Sequence, residues 1–160
     1  MGRIWATTMS THPESVVNPL IAACEAGYVP AEIRLLSNPN VAEYVETVTG
    51  LFESVTTAYG HPNTDVTVTD LDSETEFERI VDHFRAPIRK GQEASPDTPV
   101  AVDVTPGRKF MSAIAFQAGI QFGADHVYYL HLDSADYFGQ VYSTIPRSAI
   151  NLIDFTELFG

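Results

Sequence analysis

Two short polar loops carry the residues whose types and spacing could do chemistry. The first loop, residues 9–15, includes two hydroxyl groups and an imidazole in Ser10, Thr11 and His12. The second loop reads Thr-Pro-Gly-Arg-Lys over residues 105–109 and precedes an apolar helical stretch. Hydroxyl groups can bond a phosphate or a ribose, and an imidazole can transfer a proton near neutral pH. Together the two loops form a candidate pocket.

The second loop has the composition of an anion site. Gly107 allows a ligand to approach the backbone closely, and the start of the following helix offers unpaired N–H groups and the positive end of a dipole. Arg108 and Lys109 oppose that dipole, so we expect them to face an anion. Lys109 is one of two lysines in a chain of net charge −12, which strengthens the prediction. A solvated turn with two surface cations is the alternative.

Strands alternating with helices are expected to position these loops. Strand patterns cover residues 3–8, 32–36, 65–69, 99–104 and 126–132, and helical patterns cover 16–26, 41–55, a segment after 73–76, and 110–122. Residues 140–144 are a possible last strand, and 149–159 a closing helix or arm. This order predicts one α/β, Rossmann-like domain over residues 1–160, with a mainly parallel sheet and helices on both faces. Ligands bind such sheets beyond the carboxyl ends of the strands, near the topological switch point, where both loops are expected.

Several polar side chains near helix starts have structural explanations. Ser15 is expected to cap the first helix, with Pro19 in its first turn, and Asn40 to cap the second. Residues 73–76 (Ser-Glu-Thr-Glu) form a capping-box pattern before the third helix. Asp103 ends a central strand and could orient Lys109 or a ribose hydroxyl, or cap the turn.

Composition limits the classes of partner and compartment. The chain has 9 Lys plus Arg and 21 Asp plus Glu, which argues against binding to duplex nucleic acid. The excess of acidic residues also favours a protein that works in high salt, and we predict a halophilic source. No apolar run of about 18 residues and no signal peptide is visible, so we expect no membrane span and a cytoplasmic protein. The single cysteine, Cys24, lies in an apolar run and is expected to be buried.

Other common motifs are missing from the sequence. It has no dinucleotide-binding G-x-G-x-x-G after the first strand, no P-loop and no G-x-S-x-G elbow. His126, His131 and Asp133 lie close together, but residues of one strand rarely enclose a metal without help from elsewhere. We therefore predict neither a metal nor another cofactor.

Residues 100–132 resemble the signature of CARF domains, the CRISPR-associated Rossmann fold. The residues that match the family's Thr-Gly-Gly-Thr-Lys-x-Met pattern are Thr105, Gly107, Lys109 and Met111. Pro106 replaces the first glycine of that pattern, and Arg108 replaces its second threonine. Residues 3–20 resemble the family's first strand, its Ser/Thr-rich ligand loop and its first helix.

The resemblance implies a two-fold dimer that binds cyclic oligoadenylate, the second messenger of type III CRISPR defence, across its axis. A chain without an effector domain resembles the ring nucleases, which degrade this messenger by attack of its own 2′-hydroxyl without a metal. Lys109 would then stabilise the phosphate charge with help from Arg108, Ser10 or Thr11 would position the phosphate and ribose, and His12 would move a proton. The implied ligand-binding residues are Thr8, Met9, Thr105, Pro106, Gly107, Arg108 and Met111.

Two other functions remain open at this point. The chain could be a binding module that senses or sequesters the messenger, or that regulates a separate CRISPR effector, without cleaving it. It could also be a Rossmann-like subunit for another nucleotide, although the missing dinucleotide motif argues against this.

Overall fold

A six-stranded sheet, in the order β3-β2-β1-β4-β5-β6, forms the centre of the protein. The computed structural model describes residues 2–159. The strands are β1 (Arg3–Thr8), β2 (Pro30–Ser37), β3 (Asp65–Asp70), β4 (Val100–Asp103), β5 (His126–Leu132) and β6 (Ile150–Asp154). The first five strands pair in parallel, and β6 pairs antiparallel with β5. The predicted α/β fold with a mainly parallel sheet is confirmed.

Helices cover both faces of the sheet, as predicted. They are α1 (Pro13–Glu25), α2 (Val45–Ala58), α3 (Phe77–Glu93), α4 (Lys109–Phe122) and the single turn α5 (Thr156–Phe159). Successive side chains of a strand point to opposite faces, so β1 contributes to two cores. Trp5 packs with residues of α1 and α2, whereas its neighbours Ile4 and Ala6 pack with residues of α3 and α4.

The first helix begins earlier than the sequence pattern predicted. His12 occupies the N-cap position of α1, and Pro13 is its first residue. Ser15 therefore lies inside the helix, where its hydroxyl donates a hydrogen bond of 2.7 Å to the His12 carbonyl. The predictions of Ser15 as N-cap and of Pro19 in the first turn are wrong. The ring of Pro13 fixes φ at a helical value and favours this earlier start.

Two other predicted helix starts also differ from the structure. A 3₁₀ turn (Ala42–Tyr44) precedes α2, so Asn40 is not its N-cap. Before α3, the Glu76 carboxylate accepts a hydrogen bond of 3.0 Å from the Ser73 amide, but the Ser73 hydroxyl accepts from the Thr75 amide. Half of the predicted capping box therefore forms, and the helix starts after it.

The segment between β5 and β6, residues 133–149, is called the connecting arm below. It contains three short 3₁₀ turns, Ala135–Tyr137, Tyr142–Thr144 and Arg147–Ala149. The predicted strand at residues 140–144 is therefore wrong. The predicted closing helix or arm at 149–159 is instead the strand β6 followed by α5.

Cys24 is buried, as predicted, and burial raises the pKa of its thiol to about 12. Within residues 2–159, none of the helices combines the length and the apolar character that crossing a membrane requires.

Candidate functional site

The carboxyl ends of β1 and β4 lie side by side at the switch point of the sheet. β1 pairs with β2 on one side and with β4 on the other, so the chain leaves these two central strands in opposite directions. The loop after β1 (residues 9–12) and the loop after β4 (residues 104–108) therefore start from adjacent strands. This is the edge at which α/β sheets bind ligands.

One close contact joins the two loops. The Thr8 hydroxyl donates a hydrogen bond of 3.2 Å to the Pro106 carbonyl. Gly107 has a φ of +91°, and a Cβ atom there would lie 2.6 Å from the Thr8 hydroxyl oxygen. Glycine at 107 therefore serves both the turn and the close approach of β1. Thr8 and Met9, two of the predicted ligand-binding residues, are buried beneath this contact.

A buried carboxyl group supports the second loop from below. Asp103 accepts hydrogen bonds of 3.0 Å from the Thr105 amide and 3.0 Å from the Thr7 hydroxyl. Of the roles considered for Asp103, the structure shows the capping of the turn. Burial raises the pKa of Asp103 to about 7, against the lowering effect of these hydrogen bonds. The Thr105 hydroxyl in turn accepts a hydrogen bond of 2.9 Å from the Leu130 amide, which joins the loop to β5.

A buried histidine contacts the same residue of β1, Thr7. The Nε2 atom of His83 is 3.0 Å from the carbonyl oxygen of Thr7. Burial lowers the pKa of His83 to about 4. Thr7 therefore lies between a neutral imidazole and a carboxyl group with a raised pKa.

The two cations of the second loop have different surroundings. Arg108 forms an ion pair of 3.0 Å with Glu74, and its guanidinium lies 5.8 Å from the centre of the Phe110 ring. Lys109 begins α4, is exposed, and forms no ion pair with any residue of the described range 2–159. Lys109 is therefore available to an anion at once, whereas Arg108 must first leave Glu74.

Two cavities flank the joined loops. The smaller one, about 280 Å³ and called the loop cavity, is lined by both loops. The predicted site residues that line it are Met9, Ser10, Thr11, Gly107, Arg108 and Met111. Glu74 also lines it, so the ion pair with Arg108 lies at this cavity. The structure therefore brings together the hydroxyl groups of one loop and the glycine and arginine of the other.

The larger cavity, about 490 Å³ and called the arm cavity, lies on the β5 side and includes His12 and Thr105. The remaining wall comes from the start of α1, from β5 and from the connecting arm. His12 is exposed, and its Nδ1 atom lies 3.7 Å from a Glu14 carboxylate oxygen. The predicted site is thus divided: His12 faces a different cavity from Ser10 and Thr11, and Lys109 lines neither cavity.

Sequence reasoning missed several parts of this site. The sequence patterns place Thr7 in a strand and Glu74 in the capping-box pattern of residues 73–76, and assign neither to the site. The continuous apolar run before Thr7 could have indicated a strand covered on both faces, because all residues from Ile4 to Thr8 are buried. No local signal indicated that the connecting arm would form a wall of the arm cavity.

The two histidines of β5 have protein partners. His126 Nδ1 lies 2.8 Å from a carboxylate oxygen of Asp154, and His131 Nε2 lies 3.8 Å from one of Asp133. Over residues 2–159, no group of three or more His, Cys, Asp or Glu side chains is placed to hold a metal ion.

The fold is similar to that of three solved structures. A type III CRISPR defence DNA nuclease activated by cyclic oligoadenylate aligns with a TM-score of 0.61 and 19% identity, over 83% of this chain and 19% of that one. Enterococcus italicus Csm6 bound to cyclic hexa-2′-fluoro-hexa-dAMP aligns with a TM-score of 0.61 and 12% identity, over 99% of this chain and 42% of that one. Protein VC1899 from Vibrio cholerae aligns with a TM-score of 0.58 and 11% identity, over 79% of this chain and 30% of that one. This chain therefore spans less than half the length of each of these proteins.

No curated protein is significantly similar to this sequence. Residues 10–149 match the family model described as CRISPR-associated protein NE0113, which covers most of the chain, residues 10–12 of the first loop and the whole second loop. This match and the CRISPR proteins that share the fold confirm the resemblance to the CRISPR-associated Rossmann fold. The chain belongs to the CRISPR-associated protein NE0113 family.

Proposed function

We propose that this protein binds cyclic oligoadenylate at the loops after β1 and β4 and cleaves it by attack of the ligand's own 2′-hydroxyl. The observation that carries the proposal is the contact between Thr8, Pro106 and Gly107, which holds a Ser/Thr-rich loop against a cationic loop at the switch point. Two proteins of the same fold are described with a cyclic oligonucleotide as activator or bound ligand.

The loop cavity suits a phosphate and its ribose. Ser10 and Thr11 offer hydroxyl groups, and Arg108 offers a cation that a bidentate phosphate contact can use. Releasing Arg108 from Glu74 costs little, because exposed ion pairs typically contribute about 0–1 kcal/mol. Lys109 adds a charge at the start of α4 with no described partner to displace.

Cleavage needs positioning rather than a strong external nucleophile. The 2′-oxygen of one nucleotide attacks the adjacent phosphorus, and the bond from phosphorus to the 5′-oxygen breaks. The 2′-hydroxyl loses its proton to a base, the 5′-oxygen gains one, and the product carries a 2′,3′-cyclic phosphate. Lys109 lies next to Arg108 but outside the loop cavity, so its exposed side chain turns towards the bound phosphate to stabilise the growing charge. His12 moves a proton from the adjoining arm cavity.

A two-fold dimer completes the site for a cyclic ligand. Two copies of the chain present each loop twice, which matches the internal symmetry of a ring of identical nucleotides. Light scattering during size-exclusion chromatography measures this directly. A mass of twice 17.6 kDa supports the arrangement, and a monomer that binds one ring per chain contradicts it.

The decisive experiment incubates the purified chain with cyclic tetra-adenylate and with cyclic hexa-adenylate, in EDTA and molar KCl. Chromatography separates intact rings from linear products. Linear products that end in a 2′,3′-cyclic phosphate support the proposal. Intact rings that co-elute with the protein contradict cleavage and favour a sensor or sponge that acts through a separate CRISPR effector. A protein that neither binds nor cleaves the rings contradicts the whole assignment.

The two lysines provide a matched pair of variants. We expect Lys109→Ala to lower turnover at least tenfold, because a charge next to the reacting phosphate is lost. Lys90→Ala removes the same side chain from the last turn of α3, where Lys90 pairs with Glu32 at 2.9 Å, and should leave turnover unchanged. Equal turnover in the two variants would remove Lys109 from the site.

A further inference from the structure

The arm cavity adjoins the site and has a different chemistry from the loop cavity. Its volume of about 490 Å³ lies within the usual range for small-molecule pockets. It shares His12 and Thr105 with the two loops, so a ligand on the loops can extend into it. We propose that the arm cavity is a nucleobase subsite, in which an adenine of the bound ring stacks on Phe138. This inference rests on the proposed function.

The walls of the arm cavity are suited to a flat aromatic group. Leu130 and Leu132 of β5 provide apolar surface, and the connecting arm adds Tyr137 and Phe138. Phe138 is 66% exposed, which is unusual for a phenylalanine and leaves its ring open to a ligand. Bases stack on such exposed aromatic rings, and this is a common mode of single-strand recognition.

The charges of the cavity favour a base over a phosphate. None of the described residues that line it is a lysine or an arginine, and its ionisable side chains include Glu14 and His12. A phosphate there would face the Glu14 carboxylate without a permanent cation. The 6-amino group of adenine is a hydrogen-bond donor, and a carboxylate is an acceptor. A nucleotide therefore fits with its phosphate towards Arg108 in the loop cavity and its base towards Glu14.

The wall that carries Phe138 is fixed to the first helix. The buried Asn18 of α1 donates a hydrogen bond of 2.9 Å to the Gln140 carbonyl and accepts one of 3.0 Å from the Tyr142 amide. Gly139, with a φ of +85°, makes the turn between Phe138 and this anchor. A stacking platform held in place before the ligand arrives loses less entropy on binding.

The test measures the dissociation constant of cyclic tetra-adenylate and of cyclic hexa-adenylate by calorimetry. Phe138→Ala should weaken binding about tenfold, the usual size of a lost stacking contact. Phe159→Ala is the matched control, because Phe159 is 63% exposed and lies outside the cavity, on Phe116. It should leave the constant unchanged. An equal effect of the two variants would overturn the subsite.

Base selectivity separates a direct contact from a structural effect. Cyclic inosinate rings carry a carbonyl group in place of the 6-amino group, so the parent protein should bind them about tenfold more weakly than adenylate rings. Glu14→Ala should remove most of this preference while the thermal unfolding midpoint stays close to that of the parent. A preference that Glu14→Ala leaves intact overturns the base assignment.

The outcomes for the proposed function and for the subsite differ. If the parent protein binds neither ring, both fail. A second case is that the parent binds the rings, Lys109→Ala lowers turnover, and the Phe138 and Glu14 variants behave like the parent. In that case the proposed function stands and the subsite is wrong.

Discussion

At the scale of single residues, Gly107 decides whether the two loops can meet. Its φ of +91° strains any side-chain-bearing residue, and an added Cβ would also lie 2.6 Å from the Thr8 hydroxyl oxygen. We predict that Gly107→Ala lowers the free energy of unfolding by about 2 kcal/mol and weakens ligand binding at least tenfold. Chemical denaturation and calorimetry measure the two effects.

Gly60 is a control position at which an alanine would have the same backbone strain as at Gly107 but no steric overlap with another residue. It has a φ of +94°, and no atom lies within 4 Å of the position that its Cβ would take. Gly60→Ala should cost about 1 kcal/mol of unfolding free energy through backbone strain and leave ligand binding unchanged. If Gly107→Ala binds the ligand as Gly60→Ala does, the contact with Thr8 is not needed for the site.

The contributions of Asp103 and His83 to the free energy of unfolding change in opposite directions as the pH changes. Burial raises the pKa of Asp103 from 3.8 to about 7, so its carboxyl group stays neutral in the folded chain while it ionises in the unfolded one. Its contribution to stability is therefore lost as the pH rises from about 4 to 7. Burial lowers the pKa of His83 from 6.5 to about 4, so its contribution is lost as the pH falls through that window.

We predict that single variants at these two positions change the slope of unfolding free energy against pH in opposite directions. Relative to the parent, Asp103→Asn should gain unfolding free energy as the pH rises from 4.5 to 6.5, by up to about 1.4 kcal/mol per pH unit. Relative to the parent, His83→Gln should lose unfolding free energy over the same interval, because the parent gains stability as its unfolded histidine releases a proton and the variant does not. Urea denaturation at three pH values measures both slopes. Parallel slopes in all three proteins would contradict the assignment of these titrations.

At the scale of elements, the connecting arm is held by two side chains of α1. Asn18 is buried and bonds the Gln140 carbonyl and the Tyr142 amide, while Glu25, further along the helix, pairs with Arg147 and accepts a hydrogen bond of 2.7 Å from the Tyr142 hydroxyl. These contacts hold the arm along α1, where residues of the arm form one wall of the arm cavity.

We predict that Asn18→Ala lowers the free energy of unfolding by about 1–3 kcal/mol, because a buried amide and a carbonyl lose their partner. Hydrogen exchange of residues 133–149 should also become faster. Gln117→Ala is the control, since Gln117 is exposed and bonds only the Gln121 side chain among the described residues, at 3.0 Å. If the two variants are equally stable, the arm is held by other contacts.

Elements differed in how well their sequence patterns predicted them. Strands β1 to β5 lie within about two residues of their predicted positions, because short apolar runs bounded by turn residues, and the alternation in β3, are local signals. Helix starts were less accurate, because Ser15, Asn40 and Ser73 each have a typical capping residue type but do not occupy the N-cap positions, which are His12, Tyr44 and Glu76. A residue type that can cap a helix does not determine where the helix begins.

At the scale of the whole molecule, net charge controls the response to salt. The chain has a net charge of −12, so its negatively charged groups repel one another, and salt screens that repulsion. We predict that the thermal unfolding midpoint rises by several degrees between 0.1 and 2 M KCl. A flat or falling midpoint would contradict the proposed adaptation to high salt.

A charge variant shows whether the salt response is electrostatic. Replacing the exposed residues Glu43, Glu46 and Glu53 by glutamine lowers the net charge from −12 to −9. The rise of the midpoint with KCl should then be smaller than in the parent. An unchanged rise would point to a general salt effect on apolar burial rather than to charge screening.

Local residue patterns were enough to predict the strands and the two loops, and the alternation of strands with helices predicted the α/β class and the parallel sheet. It also showed that Gly107, Lys109 and the hydroxyl groups of the first loop occur at strand ends. The tertiary structure decided which of these residues share a cavity: Ser10 lies with Arg108, whereas His12 lies with the connecting arm. It also decided that Glu74 pairs with Arg108 and that residues 150–154 join the sheet. Such contacts join positions far apart along the chain, as Asn18 and Tyr142 are, and the packing of all the elements together selects them.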